Sequence, residues 1–136
     1  MRVRDIMTAQ VVVVDAADSL KVVDDIMKWK HVRHLPVVDG EGELVGLVTH
    51  RDLLRACVSS IADISHREQD ALLRGIPVRQ VMRTEMYTVE PDSDVRRAAE
   101  IMLDHKIGCV LVVEGRRLVG ILTEADFVRY LLQVLE

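Results

Sequence analysis

Leu44-Val45-Gly46-Leu47-Val48-Thr49-His50-Arg51-Asp52 returns further along the chain as Leu118-Val119-Gly120-Ile121-Leu122-Thr123-Glu124-Ala125-Asp126. Each block is a short apolar run, long enough for a strand, that ends in Thr-x-x-Asp, a helix-start pattern. The similarity extends outward from this pair. Val37-Val38-Asp39-Gly40 lies on Val112-Val113-Glu114-Gly115, Ile26-Met27 on Ile101-Met102, and Val14 on Val89. Val3-Arg4-Asp5-Ile6-Met7 lies on Val78-Arg79-Gln80-Val81-Met82. Over residues 3–40 and 44–55, fifteen of fifty aligned positions are identical, which indicates an internal duplication.

Each copy predicts the same elements. A short apolar strand comes first (Val11–Val14; Tyr87–Val89). An amphipathic helix follows, with Leu20, Val23, Ile26 and Met27 in one copy and Val95, Ala98, Ala99, Ile101 and Met102 in the other at helical spacing. Asp18 or Ser19, and Ser93, are expected N-caps. Two further strands, His34–Val38 with Leu44–Val48 and Cys109–Val113 with Leu118–Leu122, are joined by glycine-bearing turns. A second helix opens at Thr49 and at Thr123. The fold class is therefore α/β (α+β), with two pseudo-symmetric strand-helix-strand-strand-helix repeats. One copy of about 50 residues would be marginal alone, so the two are expected to pack through their sheets and leave a crevice where they meet. The expected boundaries are 1–56 for the first repeat, 57–77 for a helical connection and 78–136 for the second. The connection carries Cys57, Val58, Ile61 and Ile64, a break near Ser65-His66, a short helix through Gln69–Arg74, and a stop at Gly75 and Pro77.

Composition narrows the function. The 136 residues are 49% hydrophobic but only 3% aromatic, and the net charge is −4. That argues for an aliphatic core and against nucleic-acid binding, which needs a basic footprint and stacking platforms. Uncharged runs such as Thr8–Val14 and Ile107–Val113 fall far short of the roughly 20 residues of a membrane span. No signal peptide is read at the N-terminus, and Cys57 and Cys109 form no spaced motif, so a reduced cytoplasmic setting is expected.

The motifs resemble a known family. Asp5-Ile6-Met7-Thr8, Arg33-His34-Leu35-Pro36-Val37-Val38-Asp39 and Gly46-Leu47-Val48-Thr49-His50-Arg51-Asp52-Leu53 look like the signatures of a CBS domain, the repeat named after cystathionine beta-synthase. Val81-Met82, Ile107-Gly108-Cys109-Val110-Leu111-Val112-Val113-Glu114 and Gly120–Phe127 repeat them, so the chain resembles a tandem CBS pair, or Bateman module. The resemblance implies a regulatory module, not an enzyme, that binds AMP, ADP, ATP or a related adenosyl compound such as S-adenosylmethionine between its repeats. It implies no required cofactor, a homodimer formed through helices, and a regulated protein partner. It implies a first site of Thr8, Val11, Val12, Arg33, His34, Leu35, Pro36, Thr49, Arg51 and Asp52. A weaker second site would use Thr84, Met86, Tyr87, Cys109, Val110, Thr123 and Asp126.

The chemistry of Thr49-His50-Arg51-Asp52 admits two readings. The threonine hydroxyl, a helix N-terminus and Arg51 suit a phosphate, while the Asp52 carboxylate can accept both hydroxyls of a ribose. The same Thr-x-x-Asp is also close to a capping box. The two can coexist, with threonine capping the empty state and turning to ligand in the bound one. Arg33 and His34 are equally readable as pocket wall or solvated surface. In the second copy Leu111 replaces Pro36, Gly108-Cys109 replaces Arg33-His34 and Glu124-Ala125 replaces His50-Arg51. The first site is therefore expected to favour a phosphorylated ligand. A module valued only for dimerisation, with vestigial sites, is the alternative.

Other constellations point nowhere in particular. Five histidines lack the clustered thiolate or carboxylate partners of a metal site. No Ser, Cys or His set suggests a nucleophile. Trp29 and the paired Met27 and Met102 read as packing or interface residues.

Overall fold

The computed structural model describes residues 1–58 and 65–135. Ile61 and Ile64, expected in the connection, lie outside the described residues. The element order is β1 (Val14–Asp15), α1 (Leu20–Lys30), β2 (His34–Val38), β3 (Leu44–Thr49), α2 (His50–Val58), α3 (His66–Arg74), β4 (Thr88–Val89), α4 (Val95–His105), β5 (Cys109–Glu114), β6 (Arg117–Thr123) and α5 (Glu124–Val134). Short 3-10 turns at Val3–Asp5 and Val78–Gln80 precede the two copies. Each copy builds a three-stranded sheet, β1-β2-β3 or β4-β5-β6, with the first pair parallel and the second antiparallel. No helix among the described residues is long and apolar enough to cross a membrane.

The compact units are cut differently from the repeats. One unit is Val12–Glu85; the other is Met1–Val11 with Met86–Glu136. Each leader therefore packs with the body of the other copy. The connection after α2 belongs to the first of these units, where Leu73 of α3 and Val78 of the second leader are sealed with Leu20, Val23, Leu35, Val37 and Val48. In the other unit Val3 of the first leader is sealed with Ala98, Met102, Val110, Val112 and Leu122.

The backbone holds both leaders in the same way. The Leu20 N–H donates to the Ile76 carbonyl (2.9 Å) and the Val95 N–H to that of Met1 (3.1 Å). The Val78 N–H donates to Asp18 (2.7 Å) and that of Val3 to Ser93 (2.8 Å). The first two of these bonds each occupy the first donor that a helix start leaves open; at α1 Ser19 adds no side-chain cap. Asp18 instead accepts from the Asp15 N–H. At α4 the cap is Asp94, which accepts from the Arg96 N–H, while Ser93 closes the preceding turn onto Glu90. Ser93 is thus corrected from cap to turn residue.

The first strands are shorter than the apolar runs suggested. Val11–Val14 contributes only Val14 to β1, and Tyr87 stands just outside β4. In the second copy the Leu111 N–H still reaches the Tyr87 carbonyl at 3.1 Å. Its counterpart Pro36 has no N–H, so the first copy cannot make that bond and pairing begins at Val14 with Val37.

Candidate functional site

β3 delivers Thr49 to the start of α2, and β6 delivers Thr123 to the start of α5. Both turns are closed by reciprocal capping. The Thr49 N–H and hydroxyl each donate to Asp52 Oδ2 at 2.9 Å, and the Asp52 N–H donates back to Thr49 Oγ1 at 3.2 Å. In the other unit the Thr123 N–H and hydroxyl donate to Asp126 Oδ2 at 2.8 and 3.3 Å within the same capping box. The capping reading of Thr-x-x-Asp is therefore realised twice. Both carboxylates are nearly sealed, Asp52 at 6% and Asp126 at 3% exposure.

The outward oxygen, Oδ1, is covered differently in the two units. On Asp52 it accepts from Arg83, Nη2 at 2.9 Å and Nε at 3.1 Å; Nε also lies 3.3 Å from Oδ2. On Asp126 it accepts from the Thr8 hydroxyl at 3.0 Å and from Arg129 Nη1 at 2.7 Å. Arg83 and Thr8 occupy equivalent places in the leaders. Each is fixed by paired backbone bonds to the last strand, Arg83 with Leu47 (2.8 and 2.9 Å) and Thr8 with Ile121 (2.9 and 2.9 Å). Burial works to raise the Asp52 carboxyl, but Arg83, the Thr49 N–H and the Thr49 hydroxyl together hold it below the usual carboxylate range. The Asp52 charge in turn raises the Arg83 guanidinium.

Several expected site residues are redistributed. The Thr8 hydroxyl is spent on Asp126, because the first leader pairs with β6. Val11 falls in the same unit as Thr8, and Thr84 in the unit of Asp52. Val12, Arg33, His34, Leu35, Pro36, Thr49, Arg51 and Asp52 share one unit; Met86, Tyr87, Cys109, Val110, Thr123 and Asp126 share the other. Leu35 and Val110 are fully buried, so their side chains serve the core and only their backbone could meet a ligand. Arg33 is exposed, and its carbonyl accepts from the His50 N–H at 2.8 Å. Arg51 is exposed in the first turn of α2. Tyr87 stacks on His105 with ring centroids 4.1 Å apart. Burial pushes the Cys109 thiol up to about 12, which leaves it no nucleophilic character near neutrality.

Arg83 is the residue that sequence reading missed. Its signal was present in the duplication, since it aligns with Thr8, but the exchange of leaders was not. Among the described residues no group of three or more His, Cys, Asp or Glu is gathered as a metal site.

The profile of the CBS domain family matches residues 3–59 and 78–133. The chain belongs to the CBS domain family. It is a tandem CBS pair, and the two matched segments correspond to the two copies. It is 33% identical over 133 residues to MJ1404 of Methanocaldococcus jannaschii, an alignment that covers 96% of this chain and 32% of that protein. The chain spans between 32% and 93% of the length of the first curated relatives it matches. Among solved structures, CBSX2 in complex with AMP superposes with a TM-score of 0.81 at 29% identity, covering 98% of this chain and 97% of that one. The CBS pair of MJ0100 in complex with 5'-methylthioadenosine and S-adenosyl-L-methionine superposes with a TM-score of 0.81 at 26% identity, again with 98% and 97% coverage.

Proposed function

We propose that this CBS pair is a regulatory module that binds an adenine nucleotide or a related adenosyl compound, with the Thr49–Asp52 turn as its principal site. The observation that carries this reading is the division of labour within each carboxylate. Oδ2 is committed to the helix cap, while Oδ1 is covered by side chains that reach in from the surface. The Arg83 side chain is 47% exposed against 7% for Asp52. A vicinal diol can take the place of such a cover, because two hydroxyls donate to a carboxylate as a guanidinium does. The positive dipole end of α2, with the exposed Arg51 in its first turn, suits an attached phosphate. Pro36 supports a base pocket on Val12 and the β2 backbone, since it leaves the Val12 carbonyl without the N–H that Tyr87 receives from Leu111. The adenosyl ligands of CBSX2 and MJ0100 support the same class. Binding would act on a partner protein only through unequal affinity for two arrangements of the module.

Thermal unfolding with AMP, ATP, S-adenosylmethionine and adenosine tests the proposal. A bound compound at a hundred times its dissociation constant should add about 2.7 kcal/mol of stability. The gain should vanish in Asp52→Ala. If none of the four compounds shifts unfolding at millimolar concentration, the reading is lost.

A second reading, an interaction module with vestigial sites, is favoured by the outer face of α5. Val128, Leu131 and Leu132, with Leu135 just beyond the helix, are 52–68% exposed. An unpartnered apolar stripe of this kind suits self-association through helices into a homodimer. Sedimentation of the unliganded protein, set beside the thermal screen, separates the two readings.

A further inference from the structure

We infer that Arg83 makes the Thr49–Asp52 site select for ligands that carry an anionic group. The inference rests on the ligand reading above and names the residue that sets its charge preference. Arg83 is anchored at its backbone by the two bonds to Leu47, so the residue stays beside the site when its guanidinium turns away. The guanidinium meets the carboxylate with two nitrogens: Nη2 donates to Oδ1 at 2.9 Å, and Nε is shared between Oδ1 at 3.1 Å and Oδ2 at 3.3 Å, a charge-assisted fork that a phosphate can accept as well.

A ligand that offers its diol to Asp52 must displace that fork. A neutral nucleoside removes Arg83 from its carboxylate and provides nothing in return. A nucleotide brings a phosphate, which accepts the same forked donors and becomes the arginine's new partner. The exchange of one anion for another keeps the cation paired, whereas the neutral ligand loses the internal ion pair outright. Arg83 thus covers the site when it is empty and discriminates among its ligands. The Asp126 site is built otherwise. There the leader contributes the neutral Thr8 hydroxyl, and the cation, Arg129, stands on α5 itself, three residues from the aspartate.

Binding of AMP and of adenosine, read at the Thr49 amide resonance so that events elsewhere do not enter, tests the inference. The intact protein should bind AMP at least about tenfold more tightly than adenosine, the scale of one charge-assisted pair. In Arg83→Met, which keeps the apolar stem, adenosine should bind several-fold more tightly and AMP more weakly, so that the preference falls toward unity. Arg83→Lys should keep most of it. The intact protein supplies a test free of any folding defect: adenosine, though uncharged, should bind about twofold more tightly at roughly 0.5 M salt than at 0.05 M, because salt screens the ion pair it must break. If AMP binds all forms with an unchanged preference and adenosine ignores salt, the role of Arg83 is overturned while the ligand reading stands. If neither compound binds the intact protein or the variants, the role of Arg83 falls, and the thermal screen with all four compounds decides the ligand reading.

Discussion

Asp52 and Asp126 stand at equivalent positions, and each combines a structural oxygen with an outward one. The distinction bears on acid stability. The folded-state carboxyl of Asp52 is lowered, chiefly against the opposing pull of burial, by Arg83 and Thr49. An unfolded chain therefore binds the proton more readily than the folded one. The stabilisation is fully present above the ordinary carboxylate value and is lost as pH falls through the lowered folded value. Asp52→Asn should cost about 1–2 kcal/mol at pH 7, a charge-assisted bond discounted for the solvent exposure of Arg83. Urea unfolding of both proteins from pH 7 to below pH 3 should show this difference shrinking only at the acid end. A gap that stays constant across the range would mean that the ionised carboxylate contributes nothing.

The strands that lead into these turns carry glycine where a leader crosses them closely. A Cβ on Gly46 would stand 2.7 Å from Met82 Sδ and 3.0 Å from the Arg83 carbonyl. A Cβ on Gly120 would stand 2.5 Å from Met7 Sδ and 3.2 Å from the Thr8 carbonyl. The glycine is thus the seat for a leader, and the leader places Arg83 or Thr8 on the carboxylate of the other copy. Gly46→Val should destabilise by about 1–3 kcal/mol through overpacking. It should also loosen the Arg83–Asp52 pair, visible as faster exchange of the Thr49 amide. Stability lost with the Thr49 amide still fully protected would separate the glycine from the site. The same close approach accounts for glycine at both Gly46 and Gly120.

The exchange of leaders ties each compact unit to both copies of the repeat. Val3 and Val78 are fully buried, each in the core of the unit built on the other copy. Val3→Ala should therefore cost about 2 kcal/mol and raise hydrogen exchange in β4, β5 and β6, while Val78→Ala should do the same for β1, β2 and β3. Loosening of each variant's own repeat would contradict the exchange. Much of the architecture was legible in the sequence. Apolar periodicity and duplication specified both sheets, α1, α4 and the helices opening after Thr49 and Thr123, because these depend on local pattern. Thr49, Asp52, Thr123 and Asp126 were legible for the same reason, since a cap is a contact over three residues. The owner of each leader was not legible. Val3 and Val78 are the same residue at the same place in similarly patterned segments, and either seat would satisfy the local pattern. Tertiary backbone pairing, Arg83 with Leu47 and Thr8 with Ile121, fixes the assignment, and with it that an arginine, rather than a threonine, covers Asp52, because such contacts join residues far apart in the chain that no local pattern links.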